Sequence, residues 1–243
     1  LYENDAYYQS MLPIGSRGDF VTSPEISQMF GEIIGAYILD YWSNNINSKF
    51  NLVELGPGKG TLIQDIFRVA KLDDRFFKSA NIKLIEKNIN LMKLQKNKIK
   101  SLKLVNTKWL SDFNIYSKLP SIIYSNEFFD CLPVRLFNKK KYWLEKTVDY
   151  NQNEETFFLK DRKVIEKNIL KYLKINKLKK IAEISFQRIK YFNKIFKYIY
   201  KNKGLIITID YGYEDPLKNF TLQSISAHKK THIFDYLGKQ DIS

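Results

Sequence analysis

The feature that most constrains this chain is residues 52–60, L-V-E-L-G-P-G-K-G. An apolar run enters three glycines at alternate positions, Gly56, Gly58 and Gly60, with Glu54 two residues before the first. A segment with helical character, residues 61–71, follows at once. Strand, glycine turn and helix together bring bare backbone against a small charged ligand. Glycine serves there because the turn takes unusual φ/ψ angles and no Cβ can block the ligand. The spacing is not the G-x-G-x-x-G that seats a dinucleotide's pyrophosphate. It is acidic-x-G-x-G-x-G, a tighter turn. The bland alternative is the same turn with no ligand.

The pattern around this loop sets the fold class. Thr22-Ser23-Pro24-Glu25 is a helix-start signature: a hydroxyl to cap, proline in the first turn, and an acid at the positive helix end. Ile26, Phe30, Ile33, Ile34, Tyr37, Ile38 and Tyr41 recur at helical spacing and predict one long amphipathic helix with that face buried. Strands are predicted at 51–55, 82–86, 102–105, 121–125 and 204–210, helices at 61–71 and 89–99, and a loop at 72–80. Repeating strand–helix units imply an α/β protein with a parallel sheet and helices on both faces. Ligands in such sheets lie beyond the carboxyl ends of the strands. Residues 134–159 break the rhythm as antiparallel strands, and 183–200 read as a helix. The chain therefore divides into 1–133, an N-terminal helix and ligand-binding half; 134–203, an inserted α+β region; and 204–243, a continuation of the sheet.

Composition narrows the classes. The chain has 243 residues, 44% hydrophobic and 15% aromatic, enough for a large core. No apolar run approaches the ~20 residues of a membrane helix, and the opening Leu-Tyr-Glu-Asn-Asp lacks the basic and apolar character of a signal peptide. Cys131 is the only cysteine, so no internal disulfide forms, which fits a reducing compartment. The net charge of +14 admits a polyanionic partner. Its lysines are spread along the chain among Ile and Asn, which favours a solvated basic surface over a nucleic-acid site. Without an initiator Met, the chain is expected to be a fragment of a longer protein.

The acidic-x-G-x-G-x-G turn resembles that of class I methyltransferases, which bind S-adenosylmethionine (SAM). On that resemblance, the strand ends carry the cofactor contacts. Glu86, thirty residues after Gly56 (86 − 56), can accept hydrogen bonds from both ribose hydroxyls, or is an ordinary surface glutamate. Trp109 or Asp112 meets the adenine, or Trp109 is core. The fourth strand ends in Asn126-Glu127-Phe128-Phe129-Asp130, where the methyl group is approached. The aromatics would exclude water and the acids hold a cationic nucleophile; alternatively Glu127 and Asp130 cap a short helix. His228 and His232, four apart, lack the further ligands of a metal site, and Cys131 sits in no nucleophile elbow.

Together these residues are similar to one family, the MidA-like SAM-dependent methyltransferases, which include the mitochondrial complex I assembly-factor methyltransferases. The N-terminal block is Ile14-Gly15, Gly18-Asp19-Phe20, Thr22-Ser23-Pro24-Glu25-Ile26-Ser27 and Phe30-Gly31-Glu32. V-E-L-G-P-G-K-G with Thr61-Leu62 follows, with Lys59 where many members carry Arg. Asn126–Asp130 with Leu132-Pro133-Val134, Asp210-Tyr211-Gly212, Thr221-Leu222-Gln223, His228, and Gly238 with Asp241-Ile242-Ser243 complete the order. The resemblance implies a class I methyltransferase (Rossmann-like) sheet with an inserted substrate-recognition region. It also implies methylation of a protein arginine, with a respiratory complex I subunit as partner. The place implied is the mitochondrial matrix in a eukaryote or the cytoplasm in a bacterium, the bacterial case being favoured. The cofactor-binding set is Glu54, Gly56, Gly58, Gly60, Glu86, Trp109 and Asn126, with no metal. Carboxylates can orient a guanidinium by paired hydrogen bonds, which makes Glu127, Asp130 and, more weakly, Glu25 the catalytic candidates. A methyltransferase acting on RNA or a small molecule, and a non-catalytic assembly factor that keeps the fold, stand as alternatives. N-E-F-F in place of the N/D-P-P-Y/F of base methyltransferases weighs against nucleobases.

Overall fold

The computed structural model describes residues 22–102, 106–178, 180–213, 217–226, 229–238 and 240–242. Its centre is a five-stranded parallel sheet of β1 (Phe50–Leu55), β2 (Ala80–Ile85), β3 (Thr107–Leu110), β4 (Ser121–Asn126) and β9 (Gly204–Ile209), in the order β3-β2-β1-β4-β9. β1 lies in the middle and is buried along its whole length. Its side chains alternate between two apolar layers, as the period of two in a strand requires. Leu52, with Leu84 and Ile122, faces the helices α2 (Gln28–Asn45) and α3 (Thr61–Ala70). Val53 and Leu55, with Ile85 and Ile123, face Phe113, Phe129 and Ile195 on the other side. Because the connections around β1 diverge to β2 and to β4, their carboxyl ends open a crevice there.

Four expectations change. The helix predicted from residue 22 onward is broken: α1 (Ser23–Ile26) ends at Ser27, whose φ of −142° and ψ of 120° are extended, and α2 starts afresh. The buried face of α2 is Gly31, Ile34, Gly35, Ile38 and Trp42, while Ile33 and Tyr37 are 62% and 54% exposed. The two glycines let α2 lie close against α3, where Gly31 meets Asp65 and Gly35 meets Ile66. The predicted loop 72–80 contains α4 (Asp74–Ser79), capped by the Asp73 side chain through Arg75 N–H, and Phe76 from it enters the core. The third strand is Thr107–Leu110; of the predicted 102–105, residues 103–105 lie outside the described residues. The segment 183–200 is two elements, β8 (Ile181–Ile184) and α7 (Phe186–Asn202), separated by the capping Ser185.

α5 (Ile89–Ser101) links β2 to β3. Between β4 and β9 the chain builds a four-stranded antiparallel sheet from β5 (Arg135–Lys139), β6 (Trp143–Asn151), β7 (Thr156–Lys163) and β8, in the order β7-β6-β5-β8. α6 (Lys167–Ile175) covers it through Ile169 and Leu173, which meet Phe137 and Trp143. Arg135 clamps this sheet with two 2.5 Å bonds to Glu145. α7 falls within the 134–203 insertion by sequence, yet its Ile195, Tyr191 and Tyr198 pack on the parallel sheet. A small sheet of β10 (Ser224–Ser226), β11 (Lys229–Thr231) and β12 (Asp241–Ile242) follows, in the order β11-β10-β12. No helix among the described residues is long and apolar enough to cross a membrane.

Candidate functional site

At the carboxyl end of β1 the chain turns through Gly56, Gly58 and Gly60 with φ of 60°, 54° and 75°. A side chain at these angles is strained. At Gly56 a Cβ would also meet the Phe128 ring at 2.8 Å. The loop borders a cavity of about 520 Å³ lined by Gly56, Gly58, Ile85, Glu86, Leu91, Asp112, Glu127, Phe128 and, from α7, Lys190, Tyr191 and Lys194. A smaller cavity of about 60 Å³ lies on the other side, lined by Glu25, Glu54, Lys59, Thr61, Asn126 and Glu127. Gly56, Gly58 and Glu127 border both.

The acids around these cavities differ in state. Glu54 is buried beneath the loop, and Tyr124 Oη donates to it at 3.0 Å. Burial raises its pKa to about 8, against the Tyr124 hydrogen bond and with help from the nearby charge of Glu86. Glu86 is likewise pushed up by burial, opposed by N–H donors of Asn88 and Lys87 and by Gln95. Its Oε1 accepts from Lys87 N and Asn88 N, both at 2.9 Å. Glu25 is pushed up by burial, but the Thr61 hydroxyl and the Lys59 charge outweigh this and hold it below the usual range. Asp112 is also held low: burial is outweighed by Lys194, whose Nζ lies 2.9 Å from Oδ2.

The loop after β4 is built around Asp210, which the sequence offered as the start of the Asp210-Tyr211-Gly212 block without a role in the site. Asp210 Oδ2 accepts from Phe129 N at 2.8 Å, and Arg188 Nε donates to Phe129 O at 3.0 Å. Burial, and then the Asp210 charge, raise Asp130 to about 6. Glu127 takes a left-handed φ of 49°, and its Oε1 accepts from Asn126 Nδ2 at 3.0 Å. Such a φ at a non-glycine residue costs energy that the surrounding structure must supply. Residues 127–134 form turns and no helix, so Glu127 and Asp130 have no helix to cap.

The structure thus brings Glu54, Gly56, Gly58, Glu86, Asn126, Glu127 and Glu25 to the two cavities. Gly60 closes the loop as the left-handed N-cap of α3. Trp109 lines neither cavity: its indole donates to Gln95 Oε1 at 2.8 Å, behind the loop. Asp130 lines neither as well, and touches the site through its backbone neighbours. His232 follows β11 instead of lying on a helix, and His228 and residues 14–20 lie outside the described residues. Among the described residues no three His, Cys, Asp or Glu side chains gather to hold a metal ion. Gln95 and the α7 wall gave no sequence signal, since a lone Gln in a Lys- and Asn-rich helix reads as surface.

The sheet order and the cavity at its carboxyl end define the class I methyltransferase fold. A family model described as "Putative S-adenosyl-L-methionine-dependent methyltransferase" matches residues 33–243, and the chain belongs to that family. It is 36% identical over 166 residues to the mitochondrial protein arginine methyltransferase NDUFAF7 of Bos taurus, covering 59% of this chain and 38% of that protein. The Danio rerio NDUFAF7 is 28% identical over 262 residues, covering 98% of this chain and 61% of that protein. The chain therefore spans less than two thirds of these relatives' length. A crystal structure of a Burkholderia thailandensis protein bound to S-adenosyl-homocysteine (SAH) superposes with a TM-score of 0.79 at 20% identity, covering 100% of this chain and 65% of that one. That likeness is one of fold.

The residues present fit the family's cofactor. Three positive-φ glycines leave room for backbone approach, Glu86 presents a carboxylate to the large cavity, and the buried Asn126 Oδ1 has no hydrogen-bond partner among the described residues.

Proposed function

We propose that this chain carries the catalytic region of a SAM-dependent protein arginine methyltransferase, with the Asn126–Asp130 loop holding the target guanidinium. The observation that carries the proposal is the meeting of the two cavities at Gly56, Gly58 and Glu127. The large one has the residues to hold a nucleoside. The small one gathers Glu25, Asn126 and Glu127 where a slim cationic group can enter. Bound SAM supplies an electrophilic methyl group on a sulfonium. The protein's part is to place the nucleophile in line and to shape the field around it. A guanidinium is a weak nucleophile, and carboxylate hydrogen bonds orient it and raise electron density on the attacking nitrogen. Asn126 Nδ2 holds the Glu127 carboxylate in place, and Glu127 is the acceptor for the proton the guanidinium sheds on methylation. Asp210 and Arg188 fix the loop backbone that sets this geometry. The relatives' names support protein arginine as the target; a complex I subunit is the particular partner that the family resemblance implies.

The test is transfer of label from SAM in the full chain. Label is expected in protein, on arginine, and not in RNA. Glu127→Gln should keep SAH affinity within a few-fold. Removing one partner of a desolvated charge pair costs about 2–5 kcal/mol, so transfer should fall by about thirtyfold to five-thousandfold. Unchanged turnover per folded molecule would remove Glu127 from the site, and label in RNA alone would replace the arginine reading.

A further inference from the structure

We infer that Gln95 is a positioning residue that locks the glycine loop to Glu86 and so sets the site's recognition of an intact ribose diol. This rests on the reading that Glu86 faces the ribose. Gln95, on α5, is fully buried behind the loop. Its Nε2 donates to Gly58 O at 2.7 Å and to Glu86 Oε2 at 3.2 Å, and its Oε1 accepts from Trp109 Nε1. Its Cγ also lies where a Cβ on Gly60 would come within 3.4 Å, so the loop rests on this side chain.

The chemistry leaves one arrangement. An indole N–H only donates, so Gln95 must turn its carbonyl to Trp109. That turns both amide protons toward two acceptors, a loop carbonyl and a carboxylate. Each proton has one partner and the carbonyl has one donor, so the buried amide is satisfied. Glu86 is then held at both oxygens. Oε1 takes the Lys87 and Asn88 amides, and Oε2 takes Gln95. Three of the carboxylate's roughly four acceptor positions are thereby filled, and the one left on Oε2 is held in a fixed place beside the large cavity that Glu86 lines. The same amide fixes the Gly58 carbonyl, so the loop and the ribose acid move as one body. A first layer supported by a buried second layer is how a site keeps its geometry.

The experiment is calorimetric titration of SAH, and of its 2′-deoxyribose analogue, into wild-type chain, Gln95→Met and Trp109→Phe. Wild type is expected to prefer SAH by about tenfold or more, the scale of one hydrogen bond to a charged group. Gln95→Met keeps the bulk but strands both acceptors. It should bind SAH at least about tenfold more weakly and lose most of its preference over the deoxy analogue. Trp109→Phe, acting through Gln95, should show the same pattern at smaller amplitude, and decides the matter if Gln95→Met does not fold. A purely structural role would lower the melting temperature and leave the affinity ratio as in wild type; that result overturns the inference. Wild-type chain that binds SAH and its deoxy analogue equally overturns the ribose reading of Glu86, and the inference with it.

Discussion

Glu54 shows how much a single residue can say before and after folding. The motif placed it two residues ahead of Gly56, but its partner Tyr124 lies 70 residues away and left no trace in the spacing. Gln95 was hidden as well, because its three partners come from three separate elements, the glycine loop, the end of β2 and β3. Residues that touch ligand need particular chemistry at particular offsets and are legible. Residues that hold them in place need only the right fold, and are not. Glu54 carries a pH signature. It titrates at about 8 in the folded chain against 4.5 as a free side chain. Between these values the folded chain keeps a proton that the unfolded chain has lost, so raising the pH through this window favours unfolding. Below it both states are protonated and the full contribution is present. Glu54→Gln keeps an acceptor for Tyr124 and cannot ionise. Melting curves from about pH 5 to about pH 8 should therefore fall less steeply in the variant than in wild type. Identical slopes would mean that Glu54 ionises freely in the fold.

At the scale of elements, the sheet was legible because buried parallel strands leave continuous apolar runs between turn signals. Helix faces were less so. Apolar periodicity found Ile34 and Ile38, which are buried, but also selected the exposed Ile33 and Tyr37 and passed over Gly31 and Gly35 on the packed face of α2. Close helix approach is driven by what is missing from a side chain, and a hydrophobicity pattern does not register absence. α4 was missed because six residues with two phenylalanines are too short to show a period. The glycine contact has a measurable consequence. A Cβ on Gly35 would lie 2.9 Å from Ile66 Cα and 3.0 Å from Ile66 O, which are backbone atoms that cannot rotate away. Gly35→Ala should therefore destabilise the chain by about 1–3 kcal/mol, as overpacking does, despite alanine's better helix propensity. Gly212→Ala, with nothing within 4 Å of its Cβ, is the matched control and should be near neutral. Denaturant unfolding of both variants checks this, and a stabilised Gly35→Ala would show that the α2–α3 contact has room for a methyl group.

For the whole molecule, the decisive property is convergence. Glu25, the glycine loop, Glu86, Asp112, Glu127 and Asp210 come from α1 and from five strand ends, and all gather at one edge of the parallel sheet. The class of fold could be read from the alternation of strands and helices. The α7 wall of the cavity could not, because that helix follows the inserted sheet in sequence and rejoins the parallel sheet only in space. A cavity assembled from so many separate elements exists only in the folded chain, so a ligand that fills it must stabilise the whole. Binding to the native state alone adds RT ln(1 + [L]/Kd), about 2.7 kcal/mol at a hundredfold excess over Kd. For a chain of this size each kcal/mol raises Tm by about 2–4 °C, so saturating SAH should raise it by on the order of 5–10 °C. NAD should leave Tm unchanged, because the alternate-glycine turn lacks the spacing that seats a pyrophosphate on a helix N-terminus. Glu86 alone does not discriminate, since both ligands offer a ribose diol; the loop does. Gly58→Val places a branched side chain on a residue at φ 54° that lines both cavities. It should abolish the SAH shift while leaving the unliganded chain folded by circular dichroism. Stabilisation by NAD, or an SAH shift that survives Gly58→Val, would separate the loop from cofactor binding.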